Sequence, residues 1–139
     1  MSKTGKLFLL ISLLTFCTIL PAQEENKPDP EEMLAKELDR LTFSLKLEDW
    51  QVYYVDSILH NDYYGMIKEL EGMQKSRVSN PDLYQAVQDK WMESTQKAYQ
   101  KYFSAGQWAL YLKQGGQRAI NEREKRRARQ AGIKDKKKK

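Results

Sequence analysis

The sequence predicts an all-α fold of about four helices, including one long antiparallel hairpin. The chain has 139 residues, of which 40% are hydrophobic and 31% charged, with only 7 Gly and 4 Pro. This composition suits a single small helical domain with polar ends. Apolar residues recur every three or four positions, which is the spacing of one helical face, and no segment has the alternating pattern of a strand. A chain of this length is too short for two hydrophobic cores.

The first helix is predicted to begin at Pro30. Asp29 can accept hydrogen bonds from free backbone N–H groups, proline fits the first turn, and the acids Glu31 and Glu32 suit the positive end of the helix. Leucines then follow at spacings of 4, 3 and 4, which predicts one buried stripe. The stripe consists of Leu34, Leu38, Leu41 and Leu45.

A second, longer helix is predicted from about residue 48 to 75. Its apolar seam is about 30 Å long at about 1.5 Å per residue. Gly65 and Gly72 lie inside it, each costing up to about 1 kcal/mol relative to Ala, and they predict a bend or a close crossing by a neighbouring helix. The seam consists of Val52, Val55, Leu59, Tyr63, Met66, Leu70 and Met73.

The segment "SRVSNPD" ends this helix and starts a third, with Ser79 or Asn80 as the cap and Pro81 in the first turn. The third helix, from about residue 81 to 102, has a stripe that is aromatic at its ends and small near its middle. A fourth helix is predicted after Ser104 and weakens at the two glycines 115 and 116. The stripe of the third helix consists of Tyr84, Val87, Trp91, Thr95, Ala98 and Tyr102.

Residues 1–22 have the layout of a secretory signal peptide. Lys3 and Lys6 form a positive segment, residues 7–20 form an apolar run, and the small Ala22 marks a cleavage point. A run of 14 residues is shorter than the roughly 20 that span a membrane, although an uncleaved anchor stays open as an alternative.

Cys17 lies within this apolar run, and a lipoprotein is disfavoured because the bulky Phe16 precedes it. Cleavage near residue 22 leaves a mature chain without cysteine, hence without a disulfide or a thiol nucleophile. We expect residues 23–29 to form a flexible linker, residues 30–116 the helical domain, and residues 117–139 a basic tail that is partly helical or disordered.

Charge is divided along the chain. Residues 23–112 hold 10 Lys or Arg against 16 Asp or Glu, whereas residues 113–139 hold 12 against 3. Such a basic segment would suggest nucleic acid in a cytosolic protein. In an exported protein it instead favours association with anionic membrane, polymer or acidic protein. A solubilising end with no partner remains the alternative.

Two short stretches, "LEDWQ" at 47–51 and "FSAGQ" at 103–107, each lie where one helix ends and the next begins. In each, an apolar residue can pack back against the helix, and the next residue can cap the free N–H groups, a role that suits Ser better than Glu48. Each glutamine falls at the end of the first turn, where its amide can bond back or reach a neighbouring segment. The motif residues of these two corners are Leu47, Gln51, Phe103, Ser104 and Gln107.

This layout resembles the Spy/CpxP-like LTxxQ family of small periplasmic proteins, which carry two Leu-Thr-x-x-Gln motifs separated by a long hairpin. Leu47 and Gln51 match the outer positions of the first motif, with Glu48 in place of Thr. The second corner keeps the glutamine, with Ser104 for Thr and Phe103 for Leu. In layout, the resemblance covers most of the mature chain.

The resemblance implies a homodimer of thin, bent protomers in the periplasm of a Gram-negative bacterium. It further implies an ATP-independent stress chaperone that holds unfolded envelope proteins and uses no cofactor. Two alternatives remain, namely a regulatory adaptor of an envelope sensor, and a structural protein that binds anionic envelope components through its basic tail. Aromatic residues off the stripes and tail arginines are expected to face clients or partners, although each ring could instead cover a dimer interface or flank the core. These residues are Trp50, Tyr54, Tyr64, Tyr99, Arg123, Arg126 and Arg127.

Enzyme chemistry is not predicted. The chain has one histidine and lacks a Gly-rich phosphate loop, a His-Glu-x-x-His pair and a Gly-x-Ser-x-Gly elbow. His60 could share a helix face with Asp56, and two such pairs in a dimer could hold a metal. However, the Glu-x-x-His spacing of di-iron bundles fails because position 57 is Ser. We therefore expect no catalytic, cofactor or metal site, no nucleic-acid partner, and a surface or boundary position for His60.

Overall fold

The structure, a computed structural model, describes residues 29–137. The predicted signal peptide, most of the linker and the last two residues of the tail lie outside the described residues. No strand occurs in the described range, so the predicted all-α fold is confirmed. The helices are α1 (Pro30–Leu45), α2 (Asp49–Lys75), α3 (Pro81–Tyr102), α4 (Ala105–Tyr111), a π-helical segment Leu112–Gly116, and α5 (Gln117–Lys137).

Helices α1 and α3 begin at side chains that accept hydrogen bonds from free backbone N–H groups. Asp29 accepts from the N–H of Glu31 at 3.1 Å, and Asn80, rather than Ser79, accepts from the N–H of Asp82 at 2.9 Å. These local caps are why the helix boundaries could be placed closely from the sequence.

The hydrophobic core lies where the two corners meet. The leucine stripe of α1 is confirmed, because Leu34, Leu41 and Leu45 are buried and Leu38 packs against the core. Residues from α1, α2, α3, the α3–α4 corner and α4 form the cluster. Its buried members are Leu41, Leu45, Val55, Tyr99, Phe103 and Tyr111.

The apolar seam of α2 is covered only in part. Of its seven predicted members, Val55 alone is buried and the other six are half-buried. The side chain of Glu31, near the start of α1, reaches Tyr64 on α2. Since α1 begins there, the rest of the 27-residue helix α2 has mainly α3 beside it.

Helices α2 and α3 contact each other in opposite order along the chain, as in a helical hairpin. The Tyr54 ring stacks on Tyr102 with centroids 4.5 Å apart, and further along α2, Glu69 accepts a hydrogen bond from Trp91 Nε1 at 2.8 Å. A Cβ atom on Gly65 would overlap the Trp91 ring, so glycine permits this close approach.

The predicted close crossing therefore occurs at Gly65. It does not occur at Gly72, where an added Cβ would meet no atom within 4 Å. Both glycines fit the spacing equally well, so only the position of the partner ring distinguishes them.

A kink separates α4 from α5. Gly115 has a φ of +124°, a conformation that L side chains rarely adopt, and this explains why the predicted fourth helix weakens there. A Cβ on Gly116 would lie 2.6 Å from Cε1 of the Tyr111 ring. Beyond the kink, α5 spans most of the basic segment for which the sequence left helix and disorder open. No helix in the described range is long and apolar enough to cross a membrane.

Candidate functional site

The two corners are joined by a reciprocal pair of amide hydrogen bonds. Gln51 Nε2 donates to Gln107 Oε1 at 2.7 Å, and Gln107 Nε2 donates to Gln51 Oε1 at 3.0 Å. The structure thus brings together the two glutamines that are 56 positions apart in the sequence. We refer to this pair as the glutamine joint.

Each amide of the glutamine joint also bonds to backbone at both corners. The Oε1 atom of Gln51 accepts from the N–H of Glu48 at 3.0 Å, and its Nε2 atom donates to the carbonyl of Tyr102, the last residue of α3, at 2.8 Å. In the same way, Gln107 accepts from the N–H of Ser104 at 2.9 Å and donates to the carbonyl of Leu45, at the end of α1, at 3.3 Å. The glutamine joint therefore satisfies backbone groups at two helix starts and two helix ends.

The other motif residues support these corners by capping and packing. Ser104 Oγ accepts from the N–H of Gln107 at 3.2 Å, while Phe103 is buried in the core and Leu47 packs against it. At the first corner the Glu48 carboxylate accepts from Trp50 Nε1 at 2.7 Å. The motif residues therefore build the fold at both corners.

Four aromatic rings lie side by side next to this corner. Tyr54 stacks on Tyr102, Trp50 meets Tyr54 edge-on at 6.4 Å, and Tyr53 meets Tyr54 edge-on at 5.5 Å. Trp50 is 52% exposed and Tyr53 is 69% exposed. We call Trp50, Tyr53, Tyr54 and Tyr102 the aromatic surface. Sequence reasoning placed Trp50 and Tyr54 there but missed Tyr53, which follows Trp50 by three positions and so lies on the same helical side.

Tyr99 was wrongly placed on the surface. It is only 3% exposed, and its ring stacks on Phe103 with centroids 5.1 Å apart. Burial raises the pKa of its hydroxyl. Helix α3 contacts α2 on one side and α4 on another, so its buried face is wider than a single stripe predicts.

The tail arginines are also less available than the sequence suggested. Arg123 is buried, which corrects its predicted surface position, and it donates to Gln96 on α3. Arg126 makes two bonds to Asp89, of 2.8 and 2.7 Å, and the hydrogen bond from Arg126 lowers the pKa of that carboxyl.

Arg127, which stays mostly exposed, bonds to Glu93 at 2.5 Å. Lys97 and Arg127 together lower the pKa of Glu93 to about 2. Helix α5 therefore lies beside α3 with basic side chains matched to acids of that helix.

Tyr64 belongs to a separate polar cluster that ties the start of α1 to α2. Its hydroxyl donates to the Glu31 carboxylate, which also contacts His60 Nε2 at 3.1 Å. The hydrogen bonds from Tyr64 and His60 lower the pKa of Glu31. The backbone carbonyl of Asp56 and the Glu31 carboxylate raise the pKa of His60.

We expect His60 to titrate above its ordinary pKa of about 6.5. The stability it contributes is present below about pH 6.5 and lost as pH rises through its raised pKa. The stability contributed by Glu31 is present above about pH 4.5 and lost as pH falls through its lowered pKa. The contact between α1 and α2 should therefore be most stable between about pH 4.5 and about pH 6.5. Because this is the only histidine in the chain, one imidazole resonance in a proton NMR titration measures it directly.

The matched substitutions are Glu31→Gln, which should lower the His60 pKa, and Glu32→Gln, which should leave it in place because Glu32 pairs with Lys36 instead. An unchanged histidine pKa in Glu31→Gln would show that this contact is absent in solution.

A groove of about 240 Å³ lies between α2 and α3, next to α1. Its walls are mostly apolar, but Glu37 and Asp62 also line it. Among the described residues, no three His, Cys, Asp or Glu side chains are grouped so as to hold a metal ion. Comparison of the chain with protein-family models, curated proteins and solved structures gave no match.

Proposed function

We propose that the protein is an ATP-independent chaperone of the holdase type that binds unfolded polypeptides of the cell envelope. The observation that carries the proposal is the aromatic surface, which leaves the two large rings of Trp50 and Tyr53 more than half exposed beside the hydrogen-bonded first corner. Contiguous exposed apolar area of this kind marks interaction sites in soluble proteins.

The composition of the aromatic surface suits varied polypeptide partners. Aromatic rings supply large contact area while losing little side-chain entropy, and their polar tips keep the surface soluble when no client is bound. The Glu48 carboxylate accepts a hydrogen bond from the Trp50 indole, which reduces the side-chain entropy that this ring loses when a client binds. The adjoining surface carries Glu48 and Lys101, which can meet charges of either sign.

The mature chain, residues 23–139, should slow the aggregation of a chemically denatured client at near-stoichiometric amounts. Simultaneous replacement of Trp50, Tyr53 and Tyr54 by Ala should reduce this protection several-fold, because most of the exposed aromatic area is removed. Light scattering during dilution of the client from denaturant measures the effect.

Leu83→Ala is the matched control, since Leu83 is about half exposed but lies in the first turn of α3, at the far end of the hairpin from Tyr102. The proposal fails if the mature chain protects none of several clients, or if the triple variant protects as well as the wild type. Capture of one saturable partner without general protection would instead favour the regulatory adaptor.

A further inference from the structure

The groove between α2 and α3 combines apolar walls with one buried acid. Its apolar side chains come from α1, α2 and α3, and the rings of Tyr99 and Tyr111 close it on the core side. The apolar wall residues are Leu34, Leu59, Tyr63, Met66, Trp91 and Met92.

The buried acid is Asp62, which is 7% exposed. Its Oδ2 atom accepts from Thr95 Oγ1 at 2.7 Å, and its Oδ1 atom accepts from Asn61 Nδ2 at 3.0 Å. An ionised carboxylate can accept about four hydrogen bonds, so acceptor positions remain. Within the described range, no cation forms an ion pair with Asp62. A buried carboxylate of this kind attracts a cation, because burial without a charged partner is costly.

The second acid of the groove differs, because it already has a partner. Arg40 donates two hydrogen bonds to the Glu37 carboxylate, at 2.8 and 2.7 Å. The charge of Glu37 is thus compensated within the protein, and that of Asp62 is not. The uncompensated negative charge of the groove is therefore at Asp62.

We propose that this groove binds a basic, apolar segment of an unfolded polypeptide, with a Lys or Arg cation at Asp62 and a neighbouring apolar side chain against Met66 and Met92. The inference rests on the proposed function and names the client feature that is recognised. Lys and Arg have long apolar stems that can pass along such walls. Charge-assisted hydrogen bonds are about twice as strong as neutral ones, and methionines adapt to varied apolar groups.

Two labelled peptides test the inference by fluorescence anisotropy with the mature chain. The first carries Leu, Phe and Arg; the second is identical except that citrulline, which is uncharged and similar in shape, replaces each Arg. The wild type should bind the Arg peptide about tenfold more tightly, a difference of about 1.4 kcal/mol. Asp62→Asn should abolish this preference, because the asparagine side chain carries no charge. Its amide oxygen can still accept the hydrogen bond from Thr95. Asp39→Asn is the matched control, because this exposed acid of α1 does not line the groove, and it should keep the preference within about threefold.

A second variant tests the groove if Asp62→Asn does not fold. Met66→Lys places an ammonium one turn after Asp62, where an acid and a lysine four positions apart attract each other. This internal cation should abolish the preference for the Arg peptide while the helical circular dichroism is retained.

The inference is overturned if the wild type does not prefer the Arg peptide, or if folded Asp62→Asn or Met66→Lys keeps that preference. It is also overturned if the wild-type chain sediments as a dimer and the Met66→Lys chain as a monomer. That result would mean that a second copy of the chain fills the groove. The two proposals fail separately. If the chain protects clients but has no peptide preference, only the proposal for the groove is rejected. If it has the peptide preference but protects no client, only the proposed holdase function is rejected.

Discussion

Gln51→Ala is expected to lower the free energy of unfolding by about 2–4 kcal/mol. Gln51 is buried, and its truncation removes the hydrogen bonds that it makes to the Gln107 amide, the Tyr102 carbonyl and the Glu48 N–H. Each buried polar group that loses its hydrogen bond costs about 1–3 kcal/mol, partly recovered where water can enter. Urea denaturation followed by circular dichroism at the helical band measures the loss.

A double-mutant cycle with Gln107→Ala isolates the glutamine joint. The combined variant should lose at least about 1 kcal/mol less than the sum of the two single losses, because each single truncation already breaks the two bonds between the amides, and these can be lost only once. Gln117→Ala is the matched control, since among the described side chains that exposed amide bonds only to Asn121 on its own helix, and it should lose no more than about 0.5 kcal/mol. Strictly additive losses at 51 and 107 would mean that the two amides act independently.

The second large effect is expected for Leu41→Ala, which should lower the free energy of unfolding by about 2–5 kcal/mol. Leu41 is fully buried in the cluster where α1 meets the corners, and its truncation leaves a cavity that a helical core fills only in part. Thermal unfolding should show a lower midpoint temperature for this variant, and urea unfolding a lower free energy of unfolding.

Leu110→Ala provides the comparison, because this residue is 39% exposed on the short helix α4 and should lose less than about 1 kcal/mol. Equal losses at 41 and 110 would place the core elsewhere than in the cluster around the corners.

The features that the sequence predicted are those encoded over a few adjacent residues. Asp29 and Asn80 are caps whose partners lie two positions away, so the starts of α1 and α3 required no tertiary knowledge. Gln51 and Gln107 could be predicted from the similarity of the two corners for the same reason. Each glutamine accepts a hydrogen bond from the backbone N–H three residues earlier, which is a local contact.

The burial of residues beside a predicted stripe could not be predicted, because it depends on how many neighbouring helices cover that side. Tyr99 lies off the stripe of α3, yet α4 covers that side of the helix and buries it. Conversely, six of the seven residues of the α2 seam fit the helical period but are only half-buried, and those from Met66 onward have mainly α3 beside them. Periodicity indicates which residues share a face, but it does not indicate how many helices will cover that face.

The glutamine joint has a local twofold character that bears on how copies of the chain can combine. Gln51 and Gln107 each donate one amide hydrogen bond to the other. Gln51 also donates to the Tyr102 carbonyl at the end of α3, and Gln107 to the Leu45 carbonyl at the end of α1. The exposed turn at 76–80, where Arg77 has a φ of +54°, links the half with α1 and α2 to the half with α3 to α5.

If that turn straightened in two chains, each half could meet its complement from the other molecule with every bond of the joint retained. Exchange of identical elements is a low-cost route to dimers. Protein concentration and strain in the 76–80 turn, rather than any new contact, would then set the balance between closed and exchanged forms.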